Sequence, residues 1–231
     1  HLVVDGSGKY VLTANYGSGG LGVIAINDDG SLGEATQKIQ HGGSSVDPRR
    51  QKEPHTHSIN LDPNSDLAFA PELGIDKLLI YRLNTVTGKL AANDPPSVSV
   101  EPGAGPRHFD FHPSGKYVFL LNEIGNTLTS YAYDSAGGVL TEIQTASTLP
   151  ADWDGSSHTA DVHVHPSGRF IYASNRGHDS LAIFEIDADT GRMTFVELES
   201  TRGNTPRNFA IDPTGKWILA ANQDSDDIFV F

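Results

Sequence analysis

Apolar residues in this chain fall in short runs separated by tight polar turns, and one pairing of such runs recurs five times. The copies are HLVVDGSGKYVLTAN, HSINLDPNSDLAFAP, HFDFHPSGKYVFLLN, DVHVHPSGRFIYASN and NFAIDPTGKWILAAN. Measured between the residues that open the turns (Asp5, Asp62, His112, His165 and Asp212), the intervals are 57, 50, 53 and 47 residues. Strand-only repeats of about 40–50 residues are the pattern of propeller blades; helical repeats of that length would space apolar residues by three and four.

The turns have a physical reading. In His112-Pro113-Ser114-Gly115-Lys116, the proline pre-sets φ at the first central position and the glycine takes the positive φ that ends the turn, which predicts a hairpin. Tyr117–Leu121 is apolar at every position, as expected for a strand covered on both faces. A third strand is predicted over Leu128–Tyr133 and Leu181–Ile186, followed by an Asp-, Thr- and Gly-rich turn and a weaker fourth strand such as Thr194–Leu198. The expected fold is therefore all-β, a β-propeller of four-stranded antiparallel blades with about five blades represented. The chain opens inside a first strand and stops in a third, at Ile228–Phe231. Because a closed ring normally completes its last blade from both termini, residues 1–231 are expected to form a single propeller domain that is a fragment, lacking the N-terminal blade and the C-terminal closure. A complete five-bladed ring of about 46 residues per blade is the alternative.

Composition narrows the function classes. The formal charge of −13 disfavours nucleic acid and anionic membrane surfaces as partners, so an anionic ligand requires a local cluster of Arg or Lys. No window approaches the roughly 20 apolar residues of a membrane span and no basic-apolar leader opens the chain, which gives the expectation of a cytoplasmic protein. Cysteine is absent, so neither disulfide nor thiolate chemistry operates. The segment 40–54, with Gly-Gly-Ser-Ser and Arg49-Arg50, is the longest polar interruption and the candidate for a mobile flap. Nothing in the pattern specifies an oligomer.

A hairpin places the start of its first strand beside the end of its second, so equivalent positions from successive blades ring one mouth of the channel. Six residues before the turn proline stand His57, Arg107, Ala160 and Arg207; ten residues after it stand Glu123, Arg176 and Gln223, with Tyr16 and Glu72 at the corresponding places of the first two turns. This predicts a mouth carrying three Arg, one His and two Glu. Taken singly, Arg107 and Glu123 would equally serve as a structural ion pair. His55 and His57 have metal-like spacing without a third ligand in view, so no metal and no cofactor are expected. His112 and His165, beside turn prolines, are assigned to the turns, and His163, within a strand, to a satisfied buried imidazole. Gly17-Ser18-Gly19-Gly20-Leu21-Gly22 joins two strands and opens no helix, so it fails as a phosphate cradle.

The segments PHTHSI, GPRHFDFHPSGKYVFLLNE, SSHTADVHVHPSGRFIYASNRGHDSLAIF and TPRNFAIDPTGKWILAANQDSDDIFVF together resemble the seven-bladed lactonase family, which holds propeller-type 6-phosphogluconolactonases and carboxy-cis,cis-muconate cyclases. The resemblance implies an active site of a His, an Arg, a Glu and a second Arg, falling here on His57, Arg107, Glu123 and Arg176. His55, His108 and Arg207 are expected to contact substrate, with Arg207 the fallback for the second arginine. The implied reaction is metal-independent hydrolysis of a small anionic sugar lactone. In it Glu123 activates water, an arginine holds the oxyanion and His57 protonates the leaving ring oxygen. The cyclase direction, a calcium-dependent lactonase using Asn122, Asn175 and Asn222, and a non-catalytic binding propeller stand as alternatives.

Overall fold

Each repeat of the sequence becomes one antiparallel sheet in the computed structural model, which describes every residue except Ser65. The first sheet holds β1 (Leu2–Val4), β2 (Tyr10–Asn15), β3 (Gly20–Ile26) and β4 (Leu32–Gln40), and the second β5 (Asn60–Leu61), β6 (Leu67–Glu72), β7 (Lys77–Asn84) and β8 (Lys89–Ser99). The third holds β9 (Pro106–Phe111), β10 (Tyr117–Asn122), β11 (Thr127–Asp134) and β12 (Val139–Ser147), and the fourth β13 (His158–Val164), β14 (Phe170–Arg176), β15 (Ser180–Ile186) and β16 (Met193–Ser200). A fifth, of three strands, comprises β17 (Pro206–Ile211), β18 (Ile218–Asn222) and β19 (Asp227–Val230). Sequential strands pair in every sheet, so the fold is all-β, built of propeller blades. The strand expected over the start of the second repeat is shorter than its siblings: only Asn60 and Leu61 form it, and His57 precedes it, with its amide donating to the Pro71 carbonyl at 3.0 Å. Among the described residues no helix is long and apolar enough to cross a membrane.

The chain divides into two compact units, one of His1–Arg107 with Asp134–Val139, the other of His108–Tyr133 with Leu140–Phe231. In the first, Leu12, Leu21 and Val23 pack with Ile59, Ala68 and Ala70. In the second, Phe119, Leu121 and Leu128 pack with Val162, Ile171 and Phe184. Every residue of β6 and β10 is buried, the outcome expected of strands apolar on both faces. Full burial of one such Leu or Phe stabilises by about 1.5–3 kcal/mol, so these strands anchor their units.

Polar side chains lock one sheet to the next inside each unit. His112 Nε2 meets the Gly168 carbonyl at 2.8 Å, and His165 Nε2 meets the Gly215 carbonyl at 2.9 Å. A carbonyl only accepts, so Nε2 carries the proton in both rings, and Nδ1 accepts from the Ser114 and Ser167 hydroxyls at 2.7 Å. Tyr117 donates its hydroxyl to the Asp189 carbonyl at 2.6 Å, and Tyr10 to that of Val86 at 3.2 Å. The turn histidines thus serve the turn and reach beyond it to the following sheet. At the fifth repeat an aspartate opens the turn: Asp212 accepts from the amides of Lys216 and Trp217 at 2.8 and 2.9 Å.

Candidate active site

In the second unit a repeated asparagine stands at or one residue before the end of the second strand of each sheet and fixes the residue that follows. Asn122 donates to the Thr127 and Thr129 hydroxyls at 3.0 and 3.2 Å, Asn175 to the Thr148 carbonyl at 2.9 Å, and Asn222 to the Thr201 carbonyl at 3.1 Å. These side chains cap strand ends and place Glu123, Arg176 and Gln223 at equivalent positions. Glu123 and Arg176 come together: Arg176 Nη2 lies 3.3 Å from Glu123 Oε1, both side chains being largely shielded from water. The same guanidinium donates to the carbonyls of His158 (3.3 Å) and Thr159 (2.9 Å), which pins its orientation. Gln223 turns instead to its neighbour Asp224, at 3.0 Å. Arg207 is exposed, and its charge helps hold the Asp224 carboxyl below its ordinary value, after hydrogen bonds from Thr205 and Gln223.

His108 is tied to Asp161, its Nδ1 2.7 Å from Oδ1. The other oxygen of Asp161 takes the His163 ring at 3.2 Å and the Asn208 amide at 2.5 Å. Burial alone would raise this carboxyl, but hydrogen bonds from the two imidazoles outweigh it and hold Asp161 far below the carboxylate range. His163 is therefore satisfied, as its strand position suggests, but its side chain is 39% exposed rather than buried. Asp161 itself escaped the positional count, because the count samples strand ends; the alternation His-Phe-Asp and Asp-Val-His in first strands that are otherwise apolar was the available signal.

The first unit holds His55, His57 and the buried Arg107. Tyr16 stacks on His55 with ring centroids 4.5 Å apart and meets His57 edge-on at 5.4 Å. Glu72 departs from its expected place among groups facing substrate. It is fully buried, accepts from the Thr56 hydroxyl at 2.5 Å and from the amide of His55, and meets His41 Nδ1 at 2.6 Å. His41 Nε2 reaches Tyr81 Oη at 2.9 Å; burial, with the Glu72 charge second, pushes that phenol up to about 12. Glu72 thus fastens the segment leading to His57. The long polar segment is anchored too: Ser45 donates to Asp76 at 2.5 Å and Gln51 to the Leu73 carbonyl at 2.8 Å. Gly19, with φ +63°, lies so close to Pro54 that a Cβ would collide with it, so the glycine string serves this close approach. Among the described residues no three His, Asp or Glu side chains gather as metal ligands do.

The propeller blades of this chain thus carry a shielded Glu–Arg pair at the ends of two second strands. The chain matches the family described as "Lactonase, 7-bladed beta-propeller" across residues 1–231 and belongs to it. It is 40% identical over 231 residues to a protein named 6-phosphogluconolactonase from Bacillus subtilis, covering all of this chain and 65% of that relative. A 6-phosphogluconolactonase of Formosa agariphila is 34% identical, again with the whole chain and 65% of the relative covered. The structure of a periplasmic gluconolactonase from Pseudomonas aeruginosa superposes with a TM-score of 0.94 at 36% identity, over 100% of this chain and 64% of that one. The chain thus spans about 65% of the length of the relatives it matches.

Proposed function

We propose that the full-length protein hydrolyses a small anionic sugar lactone, with 6-phosphogluconolactone the leading substrate. The observation that carries this reading is the buried Glu123–Arg176 pair, in a family whose relatives bear that name. Glu123 takes a proton from the attacking water as its oxygen adds to the lactone carbonyl. The tetrahedral oxyanion is stabilised by a guanidinium, Arg107 or Arg176, acting in a site shielded from water. As the carbonyl re-forms, the bond to the ring oxygen breaks and His57 supplies the proton that makes it a hydroxyl. His55, His108 and Arg207 complete the set assigned to substrate. A phosphorylated sugar lactone pays a heavy desolvation cost to leave water and does not cross a membrane freely, so the reading includes a cytoplasmic location.

The test is steady-state kinetics of the full-length protein on 6-phosphogluconolactone, gluconolactone and carboxymuconate. Glu123→Gln should lower kcat by about 10²–10³, the usual cost of removing one positioned base or oxyanion donor, with the far-UV spectrum retained. Arg107→Lys, which keeps the buried charge but loses the guanidinium fork, should lose about tenfold or more. Turnover of carboxymuconate alone, or full lactone turnover by the Gln variant, overturns the reading.

A further inference from the structure

Beside His57 the first unit carries an aromatic and cationic cluster that the ring-opening chemistry leaves without a task. Tyr16 follows β2 and is 37% exposed. Its ring stacks on His55 with planes 15° apart, and its hydroxyl accepts from an Arg50 Nη at 3.3 Å. Its carbonyl meets His55 Nδ1 at 3.0 Å. A carbonyl accepts only, so Nδ1 bears the proton.

Arg50 is presented by a fastened turn. Asp47 Oδ1 accepts from the amides of Arg49 and Arg50 at 2.7 and 3.1 Å, while Asp47 N and Gln51 N close the turn through Gln51 Oε1 (3.0 Å) and Asp47 O (2.9 Å). Gln51 is fully buried and anchors the turn through Leu73. The guanidinium therefore issues from a fixed base and donates to the Tyr16 hydroxyl. In a chain of net charge −13, a guanidinium, an imidazole and a phenol joined through one partly exposed tyrosine are the donor set that a phosphomonoester requires.

We propose that Arg50, Tyr16 and His55 form the subsite for the phosphomonoester end of the substrate, with Arg50 the residue that separates phosphorylated from unphosphorylated sugar lactones. This rests on the lactonase reading above and deepens it. Arg50 recognises the phosphoryl oxygens, Tyr16 holds Arg50 in place, and His55 orders Tyr16 through the ring stack and the contact to its carbonyl. Unphosphorylated gluconolactone reaches the same ring-opening groups without using this subsite.

The experiment uses the full-length protein and its Arg50→Ala, Arg50→Lys and Tyr16→Phe variants. Loss of a charge-assisted contact to phosphate should raise KM for 6-phosphogluconolactone about 10–100-fold in Arg50→Ala, with kcat/KM for gluconolactone held within about threefold. Arg50→Lys should recover part of the loss, and Tyr16→Phe should show a smaller loss in the same direction. Equal loss on both lactones, or none on either, overturns the proposal. Calorimetric binding of 6-phosphogluconate against gluconate separates its failure from that of the lactonase reading. A protein inactive on every lactone refutes the lactonase assignment, whereas a preference for the phosphorylated acid that disappears in Arg50→Ala still supports the subsite. Absence of that preference in the parent protein overturns it.

Discussion

His112 and His165 show how one residue type at a turn acquires work that aspartate at the same position does not do. Each imidazole accepts from its own serine through Nδ1 and donates from Nε2 to a glycine carbonyl of the next sheet. His112 is buried, so His112→Ala leaves the Gly168 carbonyl without its partner in a shielded place. That should cost about 1–3 kcal/mol, or roughly 2–10 °C of Tm in the full-length protein. Gly168→Ala attacks the same latch from the other side. Its φ of +73° suits glycine, and a Cβ would lie 2.7 Å from His112 Nε2. Thermal unfolding checks both variants, and an unchanged melting curve for His112→Ala would show that the latch is dispensable. Asp212, by contrast, is held down to about 2 by the Thr214 hydroxyl and turn amides alone, so Asp212→Asn should change Tm far less.

At the scale of strands, the sequence was most legible where hydrophobicity carried the information. Tyr117–Leu121 reads as a strand buried on both faces, and β10 is one. The third strands predicted over Leu128–Tyr133 and Leu181–Ile186 lie inside β11 and β15. Counting from the turns placed Glu123 and Arg176 at matching ends of β10 and β14, because hairpin register converts sequence distance into position. The same count failed for Glu72, whose partner His41 lies far away in sequence, and it passed over Arg50, which sits in a loop without register. Nor could it show that β9, β13 and β17 share one carboxylate, since that depends on which first strands pack together. This shared carboxylate has a pH signature. Burial works against a charged His163, but Asp161 and then Asp110 outweigh it, so its pKa lies above the ordinary value. Stability from this contact is complete below about pH 6.5 and is lost as pH rises through the raised folded value. Asp161 has the opposite sign: its contribution is complete above the ordinary carboxylate value and is lost as pH falls below it, while Asp110, raised mainly by burial, begins to lose stability from the ordinary carboxylate value upward. Facing the cluster are His108 and Asp110 from β9 and Asn208 from β17. The stability difference between parent and His163→Asn should therefore shrink as pH rises above 6.5 in denaturant titrations. A difference that stays flat would mean that the imidazole is uncharged in the folded protein.

Across the whole molecule, the question is where 29 acidic residues go in a chain with only 16 Lys and Arg. A calcium centre gathers six to eight oxygen ligands at one point. Among the described residues several carboxylates are committed to local work. Asp5, Asp62 and Asp212 accept backbone amides at repeat turns, and Asp187 does so in another turn. Glu72 is bound by Thr56 and His41, Asp161 by His108, His163 and Asn208, and Glu123 by Arg176. The asparagines beside Glu123 and Arg176 use their amides to cap strand ends. Positive charge that a metal would bring to a lactone carbonyl is, in the proposed reaction, brought by guanidinium. The full-length protein, dialysed against excess EDTA and then EGTA, should hydrolyse 6-phosphogluconolactone with kcat/KM within about twofold of the untreated enzyme, because a Lewis acid contributing several kcal/mol to the transition state could not be withdrawn unnoticed. A large loss restored by added Ca²⁺, and not by Mg²⁺, would transfer the electrophilic role from arginine to a bound cation.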